Sequence, residues 1–252
     1  MPNNRALFLN TMNEIPYLIE ISLKESISKN LDVYPFNIPA VANLEKLSFH
    51  PDVTFIIGEN GTGKSTIIEA IAMAMGFGPE GGTKNVRFST ADTVSELYKH
   101  IRISRSAKRP TDYYFLRAES FYNVATYMDS TGYLGGYGNK SLHHRSHGES
   151  FMATLTMKLK GNGFYIFDEP EAALSPTRQM SAITSIHDLV QSGSQFVIAT
   201  HSPILLAYPY SKIVQLDNKG LSEIKYEDTE HFKITRDFLN KYDQMIEILI
   251  SN

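Results

Sequence analysis

The chain has 252 residues, a length that suits one large α/β domain or two small ones and that can bury a sizeable core. Its net charge of −3 excludes a protein that is basic over its whole surface, so any contact with nucleic acid must be local. The absence of cysteine excludes disulfide and thiolate chemistry and fits a reducing cytosol.

Neither the start of the chain nor its apolar segments predict secretion or membrane insertion. Residues 1–18 lack the charged segment and apolar core of a secretory signal. The longest apolar runs, 67–78 and 196–210, are interrupted by Glu69 and His201 and fall short of the roughly 20 residues of a membrane span. We therefore expect a cytoplasmic protein without membrane insertion.

The first predicted elements are a strand, a buried strand and a helix. Residues 17–23 alternate well enough for a strand, and the continuous apolar run VTFIIG at 53–58 is typical of a strand buried on both faces. A glycine-rich turn then leads into residues 64–75, which have helical character. Residues 76–85 predict a loop because they are rich in Gly and Pro.

The alternation of strand and helix continues after this loop. Residues 113–117 predict a strand, and residues 149–160 predict a helix that the GNG sequence at 161–163 would end. Two continuous apolar strands are expected next, at 164–167 and 195–199, with a helix between them at 176–190.

The last part of the chain predicts a β-hairpin and a helix. The hairpin pairs residues 212–216 with 221–226 around a DNKG turn, and the helix covers about 230–250 and is expected to dock on the body of the protein. Strands that alternate with helices favour an α/β fold: a mainly parallel sheet flanked by helices, with an antiparallel β portion.

The sequence GENGTGKST at 58–66 matches the phosphate-binding pattern G-x-x-x-x-G-K-[ST], with a strand before it and a helix after it. Its glycines let backbone N–H groups converge on phosphate oxygens at a helix N-terminus. Lys64 would reach the β- and γ-phosphates, and the Ser65 hydroxyl would bind Mg²⁺. The alternative is a glycine-rich turn that only caps a helix. The residues expected to hold the nucleotide are Asn60, Gly61, Thr62, Gly63, Lys64, Ser65 and Thr66.

Two carboxylates follow the apolar strand FYIF. Asp168 would hold Mg²⁺ through water, and Glu169 would orient and partly deprotonate the attacking water. The alternative is that both only cap the next helix. His201 follows the third apolar strand, and since ligands bind at the carboxyl ends of parallel strands, we expect it to face the same phosphates. A lone histidine is otherwise more often structural.

The segment LHHRSHGESF at 142–151 contains three histidines in a stretch without apolar periodicity. Metal binding by His143, His144 and His147 is disfavoured, since their spacing is poor for zinc and no Cys or Asp lies nearby. The segment directly precedes a predicted helix and lies between the phosphate-binding loop and the acidic strand.

At this point the sequence resembles the ABC-type ATPase family, whose signature loop reads Ser-Gly-Gly-Gln at a helix N-terminus. The matching residues are Ser146, His147, Gly148 and Glu149. The resemblance implies that this loop binds the γ-phosphate of an ATP held by a second subunit, through Ser146 and the Gly148 N–H. His147 departs from the family pattern, where a Gly normally stands.

Three further positions follow from the resemblance. Ser175 stands in the D-loop region where transporters usually have Asp, and Glu119 stands where the Q-loop Gln would sense Mg²⁺. Tyr34, which lies 24 residues before Gly58, could stack on adenine. Phe36 competes for that role, and core packing is an alternative for both.

The resemblance spans nearly the whole chain and is closest to stand-alone bacterial ATPases of the SMC-like and "predicted ATPase" branch. Only 90 residues separate Gly58 from Gly148, without sustained heptads, so it implies an ATPase head without a coiled-coil arm. We expect one ATPase domain over 1–252. Its approximate parts are a nucleotide-binding core, 1–83 and 161–252, and a helical signature-bearing lobe, 84–160.

The resemblance implies an ATP-driven homodimer in which two copies enclose two ATP molecules with Mg²⁺, and Glu169 and His201 carry out hydrolysis. Such a switch would act on a protein partner, such as a nuclease, toxin or other effector, in DNA repair or defence. The alternatives are the nucleotide-binding subunit of an ABC transporter and an ATP-dependent scaffold that does not hydrolyse.

Residues 84–117 carry eight basic side chains against three acids. They predict either a solvated face beside the phosphates or a DNA or RNA contact surface centred on Lys99–Arg109. The basic residues are Lys84, Arg87, Lys99, Arg102, Arg105, Lys108, Arg109 and Arg117.

Overall fold

The structure, a computed structural model, describes residues 12–24, 32–84, 95–131 and 141–251. In these ranges the strands are β1 (Leu18–Leu23), β2 (Leu47–Ser48), β3 (Val53–Ile57), β4 (Ile101–Arg105), β5 (Asp112–Arg117), β6 (Gly163–Asp168), β7 (Gln195–Ala199), β8 (Ser211–Asp217) and β9 (Gly220–Ile224). The helices are α1 (Pro39–Ala42), α2 (Lys64–Met75), α3 (Leu97–His100), α4 (Phe121–Ser130), α5 (His147–Ala153), α6 (Pro176–Gln191), α7 (Pro203–Leu206), α8 (Glu230–Asn240) and α9 (Tyr242–Ile250).

The larger sheet has six strands in the order β5-β6-β7-β3-β8-β9. Its first five strands run parallel to one another, and β9 returns antiparallel to β8 as the predicted hairpin. The order places β3 between β7 and β8, so that the strand before the phosphate-binding loop lies at the centre of the sheet. The predicted α/β class, with its antiparallel portion, is confirmed.

The inner strands are apolar on both faces because helices cover both sides of the sheet. Every residue of β3, β6 and β7 is buried. Successive side chains point to opposite faces, so Phe167 packs into one core and Ile166 into the other. One core includes residues of α4, α5 and α6, and the other includes residues of α2 and β1.

A smaller antiparallel sheet with the order β2-β1-β4 lies apart from the six-stranded one. The sequence predicted β1 but neither β2 nor β4. Residues 84–160, which the sequence predicts as the helical signature-bearing lobe, also contain strands. They supply β5 to the edge of the large sheet and β4 to the small one.

The C-terminal part differs from the predicted single docked helix. It forms two helices, α8 and α9, which meet at Lys241, and neither helix has a buried residue. Ile248, Leu249 and Ile250 are all more than half exposed. The expected docking on the body of the protein holds only for α8, whose start packs against His201, and is wrong for α9, because its apolar face has no surface of the described chain to cover it.

Candidate functional site

The functional side chains lie at one edge of the large sheet because the strands that carry them are parallel neighbours. Gly58 follows β3, Asp168 ends β6, and His201 lies two residues after β7. The register pairs Asp168 with Ala199 and Ala199 with Ile56, which brings the three strand ends to the same level. The predicted convergence of these residues is present in the fold.

The phosphate-binding loop has a backbone shape that requires glycine. Gly63, which precedes α2, has a φ of 96°, and a Cβ at this position would lie 2.8 Å from Ile38 Cγ2. The Lys64 amine donates to the carbonyls of Gly58 at 2.8 Å and Glu59 at 2.9 Å, and only 5% of the residue is exposed. The loop therefore already encloses a positive charge beside a helix N-terminus.

Burial lowers the pKa of Lys64, while the nearby carboxylates of Glu169, Asp168 and Glu171 act in the opposite direction. These three acids only partly offset the effect of burial, which disfavours the charged amine. A triphosphate in the loop would add negative charge beside Lys64 and so stabilise the charged amine that binds the β- and γ-phosphates.

Ser65 and Asp168 are placed together, as the sequence predicts for a magnesium site. The Ser65 hydroxyl lies 3.3 Å from Asp168 Oδ1. Hydroxyl and carboxylate oxygens are the donors that Mg²⁺ prefers, and it normally keeps water and phosphate oxygens as further ligands. Within the described ranges no group of three or more His, Asp or Glu side chains could hold a metal ion. The two residues therefore fit Mg²⁺ only together with a bound phosphate.

Arg117 turns inward from the end of β5 and contacts two buried acids. Its Nη1 lies 2.8 Å from Glu69 Oε2, and its Nε lies 3.7 Å from Asp168 Oδ2. Burial raises the pKa of Asp168 to about 6, and Arg117 opposes this shift. The sequence predicts Arg117 to be one of the basic surface residues. That assignment is wrong, because its guanidinium stabilises the acidic side of the site.

Glu169 has a left-handed backbone conformation, with φ 53° and ψ 52°. Such a conformation costs a non-glycine residue about 1–2 kcal/mol, and residues held in strained conformations cluster at functional sites. It leaves the carboxylate partly exposed, with Oε1 3.7 Å from His201 Nε2. Glu171 supports the same region, since it accepts hydrogen bonds from the Thr200 hydroxyl at 2.6 Å and the His201 N–H at 2.5 Å.

A cavity of about 970 Å³ lies beside the first part of the phosphate-binding loop. Its walls come from three parts of the chain: the phosphate-binding loop, the β8–β9 turn with Asp217 and Asn218, and the start of α8 with Glu230 and His231. Glu169 and His201 also line it. His231 and the two polar residues of the turn could not be predicted because no motif marks them. Only the packing of α8 beside the strand ends brings them here.

The segment around Gly148 lies outside the lining of this cavity. Ser146 caps α5: its Oγ accepts from the Glu149 N–H at 3.3 Å, and Glu149 Oε2 accepts from the Ser146 N–H at 2.8 Å. Gly148 is buried, and a Cβ there would meet the Arg178 guanidinium and would lie 2.8 Å from the Ala173 carbonyl. The fold thus presents Ser146 at an exposed helix start and requires glycine two residues later.

The remaining predicted residues lie around this framework. The Tyr34 hydroxyl is 3.3 Å from Thr66 Oγ1 and the ring is exposed, whereas Phe36 packs edge-on against His100. Glu119 is exposed beside Arg117, with its Oε2 3.7 Å from Nη2. Ser175 is the N-cap of α6 and accepts from the Arg178 N–H at 3.4 Å.

Among the histidines of the signature segment, His143 makes local contacts. Its ring lies edge-on to Tyr122, with centroids 4.6 Å apart, and its Nε2 is 3.0 Å from Thr126 Oγ1. His147 is the first residue of α5 and is exposed. The described part of the segment therefore packs on α4 and starts α5.

The basic residues of the 84–117 segment divide into two groups. Arg102, Arg105, Lys108 and Arg109 are exposed, whereas Lys84 is partly buried with its amine 3.5 Å from the centroid of the Tyr113 ring. Arg87 lies outside the described residues. No helix in the described ranges is long and apolar enough to cross a membrane.

Residues 35–247 match a family described as "AAA domain". The chain belongs to this family, and the predicted resemblance to a P-loop ATPase of the ABC and SMC-like type is confirmed. Among curated proteins it is similar to the "Energy-coupling factor transporter ATP-binding protein EcfA2" of Methanospirillum hungatei, with 23% identity over 207 residues, which are 74% of this chain and 51% of that protein. The chain thus spans about half the length of that relative.

Two solved structures are also similar. The SMC head domain from Thermotoga maritima is 16% identical, with 82% of this chain and 98% of that chain covered and a TM-score of 0.45. A nucleotide-free ATP-binding cassette from an ABC transporter is 17% identical, with 87% and 95% covered and a TM-score of 0.49.

Proposed function

We propose that this protein binds ATP with Mg²⁺ and hydrolyses it to ADP and phosphate. The observation that carries the proposal is the convergence of Lys64, Asp168, Glu169 and His201 at the carboxyl ends of the parallel strands. Glu169 and His201 line the 970 Å³ cavity, and Lys64 lies in the phosphate-binding loop that forms one of its walls. Family membership supports nucleotide binding in the same loop. Asn60–Thr66 would hold the phosphates, and Tyr34 would stack on the adenine.

Each side chain has a role that follows from its surroundings. Lys64 would bind the β- and γ-phosphates, while Ser65 and Asp168 would hold Mg²⁺, which supplies charge neutralisation on the phosphates when bound. Glu169 would accept a proton from the attacking water, and the Nε2 atom of His201 would face the γ-phosphate beside it. Glu119, two residues after β5, would sense the bound Mg²⁺.

The second part of the proposal is a nucleotide-enclosing homodimer. Ser146, Gly148 and Glu149 do not line the cavity of their own chain, although Ser146 is exposed at a helix start. A second copy would bring its Ser146 loop to the open side of the nucleotide. ATP binding would then close the dimer and hydrolysis would reopen it. In the cytoplasm, this cycle would switch a nuclease, toxin or other effector protein of a DNA repair or defence process.

Variants at the two ends of the site test the hydrolysis. We expect Lys64→Ala to lose nucleotide binding and Glu169→Gln to keep it. Phosphate release should fall at least about 100-fold in both variants, because Lys64→Ala loses the contact with the phosphates and Glu169→Gln loses the base. Binding is measured with a fluorescent ATP analogue and release with an enzyme-coupled phosphate assay. Glu247→Gln, an exposed change on α9, is the matched control.

Two results would contradict this proposal. One is phosphate release by Glu169→Gln at the rate of the unchanged protein. The other is persistent ATP binding with no phosphate release by the unchanged protein, with or without its natural partner. The second result would favour the non-hydrolysing scaffold.

We also propose that the exposed basic residues from Lys99 to Arg109 contact DNA or RNA. Arg102, Arg105 and Arg109 are exposed on β4 and the loop after it, and no described acid forms an ion pair with them. Sequence-independent binding to phosphates needs only such a local group of cations. A solvated face beside the phosphates is the alternative that the test must distinguish.

The transporter subunit is the second candidate function. The observation that favours it is the 23% identity to a protein named as an ATP-binding protein of an energy-coupling factor transporter. The departures at Glu119 and Ser175 count against it. Co-purification of the full chain with a membrane protein from its native cells would support it.

A further inference from the structure

His231 on α8 lies directly against His201 in the functional site. His201 Nδ1 and His231 Nε2 are 3.0 Å apart, and the two ring centroids are 5.2 Å apart. The remaining ring nitrogens, His201 Nε2 and His231 Nδ1, are shielded from solvent and have no hydrogen-bond partner among the described residues. The two imidazoles therefore share one hydrogen bond, and its direction decides where the protons lie.

Only one of the two possible directions suits the surroundings. If His201 donated to His231, the lone pair of His201 Nε2 would face Glu169 Oε1 at 3.7 Å, and a buried N–H at His231 Nδ1 would have no acceptor. If His231 donates, an N–H faces the carboxylate and the unpartnered Nδ1 is only an acceptor. Burial lowers the pKa of both histidines, which favours two neutral rings.

We infer that His231 is a positioning residue: its Nε2–H donates to His201 Nδ1 and so fixes the His201 tautomer that carries a proton on Nε2. That N–H then faces Glu169 Oε1 at 3.7 Å, on a ring that lines the cavity, and could donate to a phosphate oxygen or to the attacking water once either is bound beside Glu169. The Glu171 carboxylate holds the His201 backbone N–H at 2.5 Å, so backbone and ring are oriented independently. This inference rests on the proposed hydrolysis for its functional meaning.

The arrangement also connects α8 to the nucleotide site. His231 is the second residue of α8, whose N-cap Thr229 accepts from the Phe232 N–H at 3.3 Å. The cap fixes the start of the helix, and the start of the helix fixes the imidazole. A tautomer set by a neighbouring hydrogen bond is a recurring way to orient a functional histidine.

The test compares two substitutions of His231. Leu removes the donor and keeps an apolar side chain, whereas Gln carries an N–H donor at about the reach of Nε2. We expect His231→Leu to lower kcat of ATP hydrolysis roughly 10- to 100-fold, the usual cost of removing a residue that orients a functional histidine, with the KM for ATP unchanged. His231→Gln should recover most of that loss. His187→Leu is the matched control. His187 lies on α6, contacts Gln191 of the same helix and Tyr208 after α7, and does not line the cavity.

The second readout is the tautomer of His201, measured by nitrogen-15 NMR of the imidazole rings in protein without nucleotide. We expect the Nε2–H form in the unchanged protein and in His231→Gln, and a mixture of both forms in His231→Leu. Signals are assigned through the His201→Asn variant. The inference is overturned if His201 carries its proton on Nδ1, if His231→Leu leaves kcat unchanged, or if Gln is as impaired as Leu. Because the NMR measurement needs no hydrolysis, it still decides the inference if the proposed ATPase activity fails.

Discussion

At the scale of single residues, burial next to like charge changes the chemistry of Lys84. Burial lowers its pKa to about 8, and the nearby Arg105 contributes in the same direction. About half of the Lys84 amines should then be neutral at pH 8, against well under 1% for an ordinary lysine. We expect a limiting amount of an acylating reagent at pH 8 to modify Lys84 before exposed Lys108, as measured by peptide mass spectrometry.

The pH dependence of this labelling has a defined sign. The rate at Lys84 should rise up to about pH 8 and then level off, while ordinary lysines continue to gain reactivity toward pH 10. Arg105→Gln, which removes a like charge, should raise the pKa of Lys84 and slow its labelling at pH 8. Equal rates at Lys84 and Lys108 would show that Lys84 is an ordinary lysine.

The residues that the sequence could place are those that belong to contiguous motifs. Lys64, Ser65 and Asp168 lie where their strand and turn patterns put them, because local chain geometry fixes them. His231 and Arg117 could not be placed in this way. Their positions depend on how α8 and β5 pack against the strand ends, and a sequence window of either residue contains no sign of that contact.

At the scale of elements, β4 and the loop after it carry the proposed nucleic-acid surface. Replacing Arg105 and Arg109 together by Glu should weaken binding to DNA or RNA at low salt and reduce the slope of log K against log salt by about 2, since each arginine neutralises about one phosphate. Binding is measured by fluorescence anisotropy over a salt series. Arg236→Glu with Lys241→Glu, an equal charge reversal on α8 and beside it, is the control.

The proposed nucleic-acid surface requires that the Arg105 and Arg109 double variant weakens binding more than the control double variant does. If both double variants weaken binding equally, the attraction comes from the overall charge of the protein and not from this surface. If neither variant changes binding, or if the unchanged protein binds no nucleic acid at low salt, the exposed arginines form only a solvated face.

Elements with a complete local signal were predicted to within a residue or two. Strand β3, helix α2 and helix α6 each combine a clear apolar pattern with glycine or proline at a boundary. β4 was missed because its five residues lie in a basic segment and pair with β1, about 80 residues earlier. The single C-terminal helix was wrong because the helix is interrupted at Lys241. An amphipathic pattern also shows only that a face could be buried, and α9 has no surface of the described chain to bury it.

At the scale of the whole molecule, the parallel strands bring the proposed catalytic groups together, whereas the Ser146 loop, residues 146–149, does not line their cavity. Gly148 packs against Arg178 and Ala173, so α5 and α6 fix this loop outside the cavity lining of its own chain. Sequence could predict the parallel sheet from its apolar strands, but it could not show how one copy relates to another. The central claim is that each nucleotide site combines two copies of the chain.

A mixing experiment tests this claim most directly. Lys64→Ala removes the phosphate contact but keeps the Ser146 loop, and Ser146→Asp keeps a good helix cap but places a negative charge where the γ-phosphate would bind. Each variant alone should release little phosphate. An equal mixture should recover about a quarter of the unchanged activity, because half of the dimers in random twofold pairing are mixed and each has one intact site. If the mixture releases no more phosphate than the two variants measured separately, each chain completes its own site and the claim is contradicted.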